Sequence, residues 1–288
     1  MVKKIFANIY IYLILLLLYL PVLYLIVFSF TEAEALGAWT GFSFQLYADL
    51  FKDEEIMTAL GNTLILACLS ALISTLVGSL GAIGIFYCKK GFRSFVEGIN
   101  QIPVVNAEIV TAMSLTVTFV FVGQNFFGGE SVFSFWTLLA GHCVLAIPFV
   151  YLNVKPKLVQ MDPALYEAAL DLGSSPSKAV NQVIIPQIMP GVFSGLLLSF
   201  TLSLDDFIVT AFTRGSGLLS GTSQIETLST LVQSKIKKGV VPPELRALTT
   251  IIFVVVLAIV VIYTAYINHK SKNVKVGKHY KKIKRKSL

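Results

Sequence analysis

The sequence predicts an all-α membrane protein with six spanning helices and both termini in the cytoplasm. Three observations predict it. Of 288 residues, 55% are hydrophobic and only 14% charged, with a mean hydropathy of +0.77, whereas a soluble domain carries about 25% charged residues. Six stretches approach the ~20 apolar residues that cross a bilayer at a rise of about 1.5 Å each. The basic residues also fall unevenly between the loops that join them. These figures exclude a soluble enzyme and a disordered chain.

The stretches run Ile9–Phe30, Thr63–Tyr87, Pro103–Val122, Phe133–Leu152, Val192–Phe212 and Ala247–Asn268. The first starts on Lys3 and Lys4, and Ala33-Glu34-Ala35 loosely fits a leader cleavage site. Its apolar run from Ile5 to Phe30 is longer than the roughly 7–15 residues of a leader core, so it reads as a retained helix. The fourth is interrupted by His142 and Pro148; proline is tolerated in a spanning helix where neighbours satisfy the freed carbonyl. With both termini inside, 17 Lys and Arg lie inside and 6 outside, the sign expected of cytoplasmic loops. The acidic residues lean outward, and Glu108, Asp205 and Asp206 fall within the spans.

Cys68, Cys88 and Cys143 are odd in number and none falls in an external loop, so they read as small apolar fillers. No metal-ligand spacing, phosphate-binding loop or hydrolase motif is present. No catalytic residue, metal or cofactor of its own is therefore expected. An internal repeat of the kind many secondary carriers show is not evident either.

The connection Asn153–Pro190 is long and patterned. Asp162-Pro163 reads as an N-cap with proline at the first helical position. A helix Pro163–Leu172 ends at Gly173, and Ser175-Pro176 starts a second, Pro176–Ile185, closed by Pro186 and Pro190. Ala168 and Ala169 leave the first helix with little bulk, so that another surface can approach. On pattern alone, an amphipathic hairpin lying on the bilayer is the plain alternative.

The residues of this loop carry a resemblance. Glu167-Ala168-Ala169, three residues, Gly173, nine residues, then Val183-Ile184-Ile185-Pro186 resembles the E-A-A-x3-G-x9-I-x-L-P loop of the permease subunits of binding-protein-dependent ABC importers. Val183 and Ile185 depart conservatively from it. Trp39-Thr40-Gly41-Phe42, Leu198 to Asp206, and Val241 to Leu248 are similar to the spermidine/putrescine subgroup, PotC type, with Pro242 where serine is more usual.

The resemblance implies a type I ABC importer permease fold: one transmembrane domain over 1–288, a cytoplasmic coupling loop at 160–190 and a basic cytoplasmic tail at 269–288. It also implies a multi-pass protein of the bacterial inner or plasma membrane that imports polyamines by alternating access. The implied partners are a second homologous permease, two ATPase subunits that bind ATP and Mg, and an extracytoplasmic polyamine-binding protein. Glu167, Ala168, Ala169, Gly173 and Pro186 would couple to the ATPase, the loop transmitting a rigid-body push. Glu167 also complements the helix N-terminus, which is its plain structural role.

A charge at mid-bilayer costs at least about 2.5–3.5 kcal/mol, so the three carboxylates need partners, water or a task. From Asp206, helical steps reach Ser203, Ser199 and Thr210, a polar stripe on one face. The same steps from Asp205 reach mostly apolar residues. Asp206 is therefore expected to face a wet pathway and Asp205 its edge. Glu108 with Thr111 and Thr118 forms a weaker stripe. A lumen of Ser, Thr and carboxylates suits a cation with hydrogen-bond donors, such as a di- or triammonium polyamine. The structural alternative is helix–helix hydrogen bonding or, for Asp206, a pair with Arg214.

Trp39 and Tyr47 read as interfacial anchors or as contacts at a substrate entrance. His142 reads as a packed, satisfied residue rather than a ligand. Phe44–Leu60 and Arg214–Arg246 are long enough to meet an external partner. The latter opens on the Gly/Ser stretch Gly215–Ser223 and continues as a helix with Ile225, Leu228, Leu231 and Val232 on one side. The tail Lys270–Lys286 reads as a topology anchor on anionic lipid, not a nucleic-acid site, since no folded domain accompanies it. Two rivals remain: the same architecture carrying another solute, and a self-sufficient ion-coupled carrier.

Overall fold

The computed structural model describes residues 2–33, 37–126, 133–162, 164–215, 225–239, 242–258 and 261–262. Its described elements are helices. In chain order they are α1 (Val2–Phe28), α2 (Gln45–Leu50), α3 (Glu54–Phe86), α4 (Lys90–Val105), α5 (Glu108–Phe126), α6 (Phe135–Gln160), α7 (Ala164–Asp171), α8 (Pro176–Ala179), a π turn (Val180–Ile184), α9 (Ile185–Asp205), α10 (Ile208–Thr213) and α11 (Leu228–Lys237). Residues 244–258 form α12. Among the described residues, five helical segments are long and apolar enough to cross a membrane. The sixth predicted span, Ala247–Asn268, begins in α12, and most of its second half lies outside the described residues. So do Pro163, most of the Gly/Ser stretch and the tail 269–288.

The chain forms two compact units. One comprises Met1–Glu54 with Val240–Leu288, the other Glu55–Gly239. In the first, α1 is a bare apolar rod: Leu16, Leu17 and Leu18 are all more than half exposed. Past its end, Phe30 stacks on Phe42 with ring centroids 5.5 Å apart and meets Tyr47. Arg246, at the start of α12, is buried and donates to the carbonyls of Ala33 at 2.8 Å and Phe28 at 3.4 Å. These carbonyls lie at and beyond the C-terminal end of α1, where helical acceptors go unpaired.

In the second unit, α6 packs along α9, and small residues let the backbones approach, as membrane helix pairs require. Gly191, Gly195, Ser199 and Ser203 recur every four residues and are buried in α9. A Cβ on Gly191 would lie 2.7 Å from the Asn153 carbonyl oxygen. Val150 of α6 fills the space between Gly195 of α9 and Gly78 of α3. The buried face of α3 continues the pattern with Ala67, Ser70, Ala71 and Ser74.

Two predicted spans and one predicted loop helix are drawn differently by the structure. Pro103–Val122 is two helices: Pro103 lies inside α4, and Asn106, extended at φ −73° and ψ 151°, breaks the chain before α5. Asparagine favours such boundaries because its amide competes with the helical ladder. Val192–Phe212 is also broken, at Asp206-Phe207, between α9 and α10. Pro186 and Pro190 do not end the helix that starts at Pro176; it runs on to Asp205 as one 30-residue segment. A π turn precedes Pro186, with Ile185 N–H bonded to the Val180 carbonyl. The wider i→i+5 turn accommodates a ring that would clash with an α-helical carbonyl.

Candidate functional site

Both helix breaks open onto one cavity of about 500 Å³. Asn106 and Glu108 line it from the first break, Asp205, Asp206 and Phe207 from the second, and Phe149 from α6. All three intramembrane carboxylates noticed in the sequence thus share a single space.

Their surroundings differ. Glu108, in the first turn of α5, and Asp205, the last residue of α9, are exposed. Among the described residues neither forms a hydrogen bond or ion pair. The Asp206 side chain is only 6% exposed. Its carboxylate accepts from the N–H groups of Val209 at 3.4 Å and Thr210 at 2.9 Å, which are orphan donors of α10. Ser229 of α11 donates to the Asp206 carbonyl at 2.8 Å. No pair with Arg214 forms among the described residues.

Both aspartates reach the cavity, and they differ in how open they are. Asp205 is the open carboxylate and Asp206 the satisfied one, because the stripe was drawn on a continuous helix and the helix stops between them. Ser199 and Thr210 are fully buried and do not line the cavity. Ser199 belongs to the small-residue row of α9, and its hydroxyl has no hydrogen-bond partner among the described residues. Thr210 caps within α10, donating to Asp206. Ser203 touches the cavity but is 5% exposed and held by its neighbours. It accepts from Ser70 Oγ at 2.9 Å and lies 2.7 Å from His142 Nδ1. Trp39 belongs to the other unit; it is half exposed and sits edge-on to Phe28 at 6.3 Å.

The loop residues form a separate, exposed feature. Asp162 Oδ1 accepts from the Ala164 N–H at 3.0 Å, the expected cap of α7. Glu167 and Ala168 are exposed and Ala169 is half-buried. The turn that follows is a Schellman motif: Ser174 N–H bonds to the Ala169 carbonyl and Gly173 N–H to that of Leu170. Gly173 has φ +84°, a conformation that costs other residues roughly 1–2 kcal/mol. Ser175 caps α8 through the Lys178 N–H. Pro186 stands exposed at the start of α9.

Sequence reasoning missed Asn106, Phe149 and Phe207 as cavity residues. The available signal was the Asx residue at each break, Asn106 two residues before α5 and Asp206 two before α10, a helix-start pattern inside an apolar run. Phe149 and Phe207 carried no such signal. In the external segment, Ile225 does not join the predicted helix; it precedes it and packs with Leu66 and Leu138.

The comparisons with known proteins agree with this architecture. A family model described as a binding-protein-dependent transport system inner membrane component matches residues 75–273. The spermidine/putrescine transport system permease protein PotC of Escherichia coli (strain K12) is 34% identical over 252 residues, 88% of this chain and 90% of that protein. The putrescine transport system permease protein PotI of the same strain is 32% identical over 237 residues, 81% and 80% of the two chains. A crystal structure of a bacterial ABC transporter involved in the import of the acidic polysaccharide alginate aligns with a TM-score of 0.70. It has 21% identity and covers 94% of this chain and 96% of that one. At that identity it shows the fold, an ABC importer permease fold, and nothing about substrate. The family match covers more than half the chain and the relatives nearly all of it, so this chain belongs to the binding-protein-dependent transport system inner membrane components.

Proposed function

We propose that this chain is a permease subunit of an ATP-driven importer that moves polyamines, spermidine or putrescine, into the cytoplasm by alternating access. The names of its relatives support that substrate class. The observation that carries it is the convergence of Glu108, Asp205 and Asp206 on one cavity. A di- or triammonium chain brings separated cationic donors, and the two open carboxylates are acceptors whose side chains have no partner among the described residues. Phe149 and Phe207 line the cavity, and an ammonium over an aromatic face gains about 0.5–2 kcal/mol. A volume of about 500 Å³ lies within the roughly 300–1,000 Å³ of small-molecule sites.

Both termini and α7 lie on the cytoplasmic side in this reading. Two ATPase subunits bind ATP and Mg, and one receives α7 through Glu167, Ala168 and Ala169, with the Gly173 turn and Pro186 fixing how α7 meets α9. A second permease completes the pathway, and an external binding protein delivers the polyamine near Trp39. This chain contributes no cofactor and no hydrolytic residue.

The test is ATP-dependent uptake of labelled spermidine and putrescine by the complex reconstituted in proteoliposomes. Saturable uptake that needs ATP and the binding protein is the expected result. A complex that hydrolyses ATP with a loaded binding protein and takes up neither amine overturns the substrate class. Uptake without ATPase subunits replaces the importer with an ion-coupled carrier.

A further inference from the structure

The break between α9 and α10 places two carboxylates at the cavity, and something must hold the two half-helices in register across it. His142 of α6 stands opposite the break and is 3% exposed. Its Nδ1 lies 2.7 Å from Ser203 Oγ, on α9. Its Nε2 lies 2.9 Å from Thr210 Oγ1, on α10, and 3.5 Å from Asp206 Oδ2. One ring therefore touches both sides of the interruption.

The acceptor-only oxygens of Asp206 favour one direction for these hydrogen bonds. The Asp206 carboxylate only accepts, and Thr210 Oγ1 donates to it at 3.2 Å. Thr210 then accepts from His142, which puts the proton on Nε2. Nδ1 is left as an acceptor and receives the Ser203 hydroxyl, whose oxygen accepts from Ser70. The chain runs from α3 through α9, α6 and α10 to the Asp206 carboxylate. A neutral imidazole, one donor and one acceptor, fits both ends. A side chain with two donors or none breaks the sequence.

We propose that His142 is the positioning residue of the translocation site: it staples α9 to α10 and, through Thr210 and Ser203, fixes where Asp205 and Asp206 face the cavity. This rests on the reading of those carboxylates as the polyamine-binding groups. His142 borders the same cavity, but it is 3% exposed and both ring nitrogens bond to the protein, so its effect on the amine is indirect.

The experiment measures KM and maximal rate of spermidine uptake in the reconstituted complex, with permease amount and ATPase activity as controls. His142→Leu keeps bulk and removes both bonds. It is expected to raise KM about tenfold, the scale of losing a buried hydrogen bond, with the amount of assembled complex unchanged. His142→Gln keeps one acceptor atom and one donor atom, its carbonyl oxygen and amide nitrogen, and is expected to recover KM to within about threefold. Ser203→Ala cuts only the α9 arm, so it serves where His142→Leu fails to accumulate; KM is expected to rise about threefold. Wild-type KM in His142→Leu or Ser203→Ala overturns the inference, as does His142→Gln as impaired as His142→Leu. Asp205→Asn and Asp206→Asn separate the two claims. If they raise KM and His142→Leu does not, the staple fails and the binding reading stands. If they leave KM unchanged, the binding reading fails and this inference with it.

Discussion

The two ends of α9 are built in opposite ways. At its start, the α7–Gly173–α8 loop is held by bonds within a few residues of each other: the Asp162 cap, the Schellman turn and the Ser175 cap. Its outer residues are bare, with Leu172 87% exposed. At its end, Asp206 caps α10 locally, but the break is bridged by residues far away in sequence: His142 is 61 positions from Ser203 and 68 from Thr210, and Ser70 is 133 from Ser203. A loop that shapes itself keeps its form whatever touches it, which suits a part that transmits force to a partner. A break held from outside keeps its form only while the surrounding helices stay packed, which suits a site that must rearrange.

The sharpest way to break the first end is Gly173→Pro. The residue has φ +84°, proline is fixed near −65°, and the N–H bonded to Leu170 is lost. A cost of about 3 kcal/mol corresponds to roughly a hundredfold loss. Uptake is expected to fall by that order while the permease accumulates normally and ATP hydrolysis continues without transport. Glu167→Lys, on the exposed face, is expected to uncouple as well, and normal uptake by a correctly inserted Glu167→Lys protein would remove α7 from the docking surface.

At the other end, Asp205→Asn and Asp206→Asn set the open carboxylate against the satisfied one. Asp205→Asn is expected to raise the KM for polyamine uptake about tenfold and leave the unfolding midpoint in detergent unchanged. Asp206→Asn is expected also to lower that midpoint, by about 1 kcal/mol, since its carboxylate caps α10. Equal stability of the two variants would erase the distinction drawn between them.

A smaller change tests whether the loop is self-organised. Ser175→Ala removes the cap on the Lys178 N–H and is expected to cost about 1 kcal/mol locally. Hydrogen exchange should rise in α8 and α7 and stay unchanged at α10. Faster exchange on both sides of α9 would show that the two ends are coupled.

The same contrast explains what was legible in the sequence. Asp162, Gly173 and Ser175 could be placed because caps and turns are read from residues a few positions apart. The helices of the membrane were found because composition reports burial in lipid without any partner. The breaks at Asn106 and Asp206 were missed because hydropathy stays high through them, and the second is made tolerable at that depth by groups of α6 as well as by its own cap. His142 was recognised as satisfied, but its partners on α9 and α10 depend on how α6 packs, which no spacing rule supplies. The small-residue row of Gly191, Gly195, Ser199 and Ser203 was partly seen, as a polar stripe, and assigned to water when it faces a helix.

Glu97 of α4 combines both kinds of contact in one residue and gives the smallest test. It pairs locally with Arg93 at 3.0 Å and at a distance with Lys155 of α6 at 2.9 Å and the Tyr151 hydroxyl at 2.9 Å. Burial pushes its carboxyl up, but the bonds from Lys155, Arg93 and Tyr151 outweigh that and hold it at about 2, below the ordinary 4.5. A carboxylate lowered in the folded state stabilises fully above its unfolded value and loses that contribution as pH falls through the folded one. The window is therefore about pH 4.5 down to about 2, and neutral pH is unaffected. The group keeps some water contact, so the effect is about 1 kcal/mol or less. In detergent, wild-type unfolding midpoints should fall with pH below about 4.5, and Glu97→Gln should flatten that fall. Lys155→Met, which removes a distant partner and keeps Arg93, should flatten it partly. Should Lys155→Met match the wild type, the Lys155 pair carries no stability, and Arg93 and Tyr151 account for the depressed carboxyl.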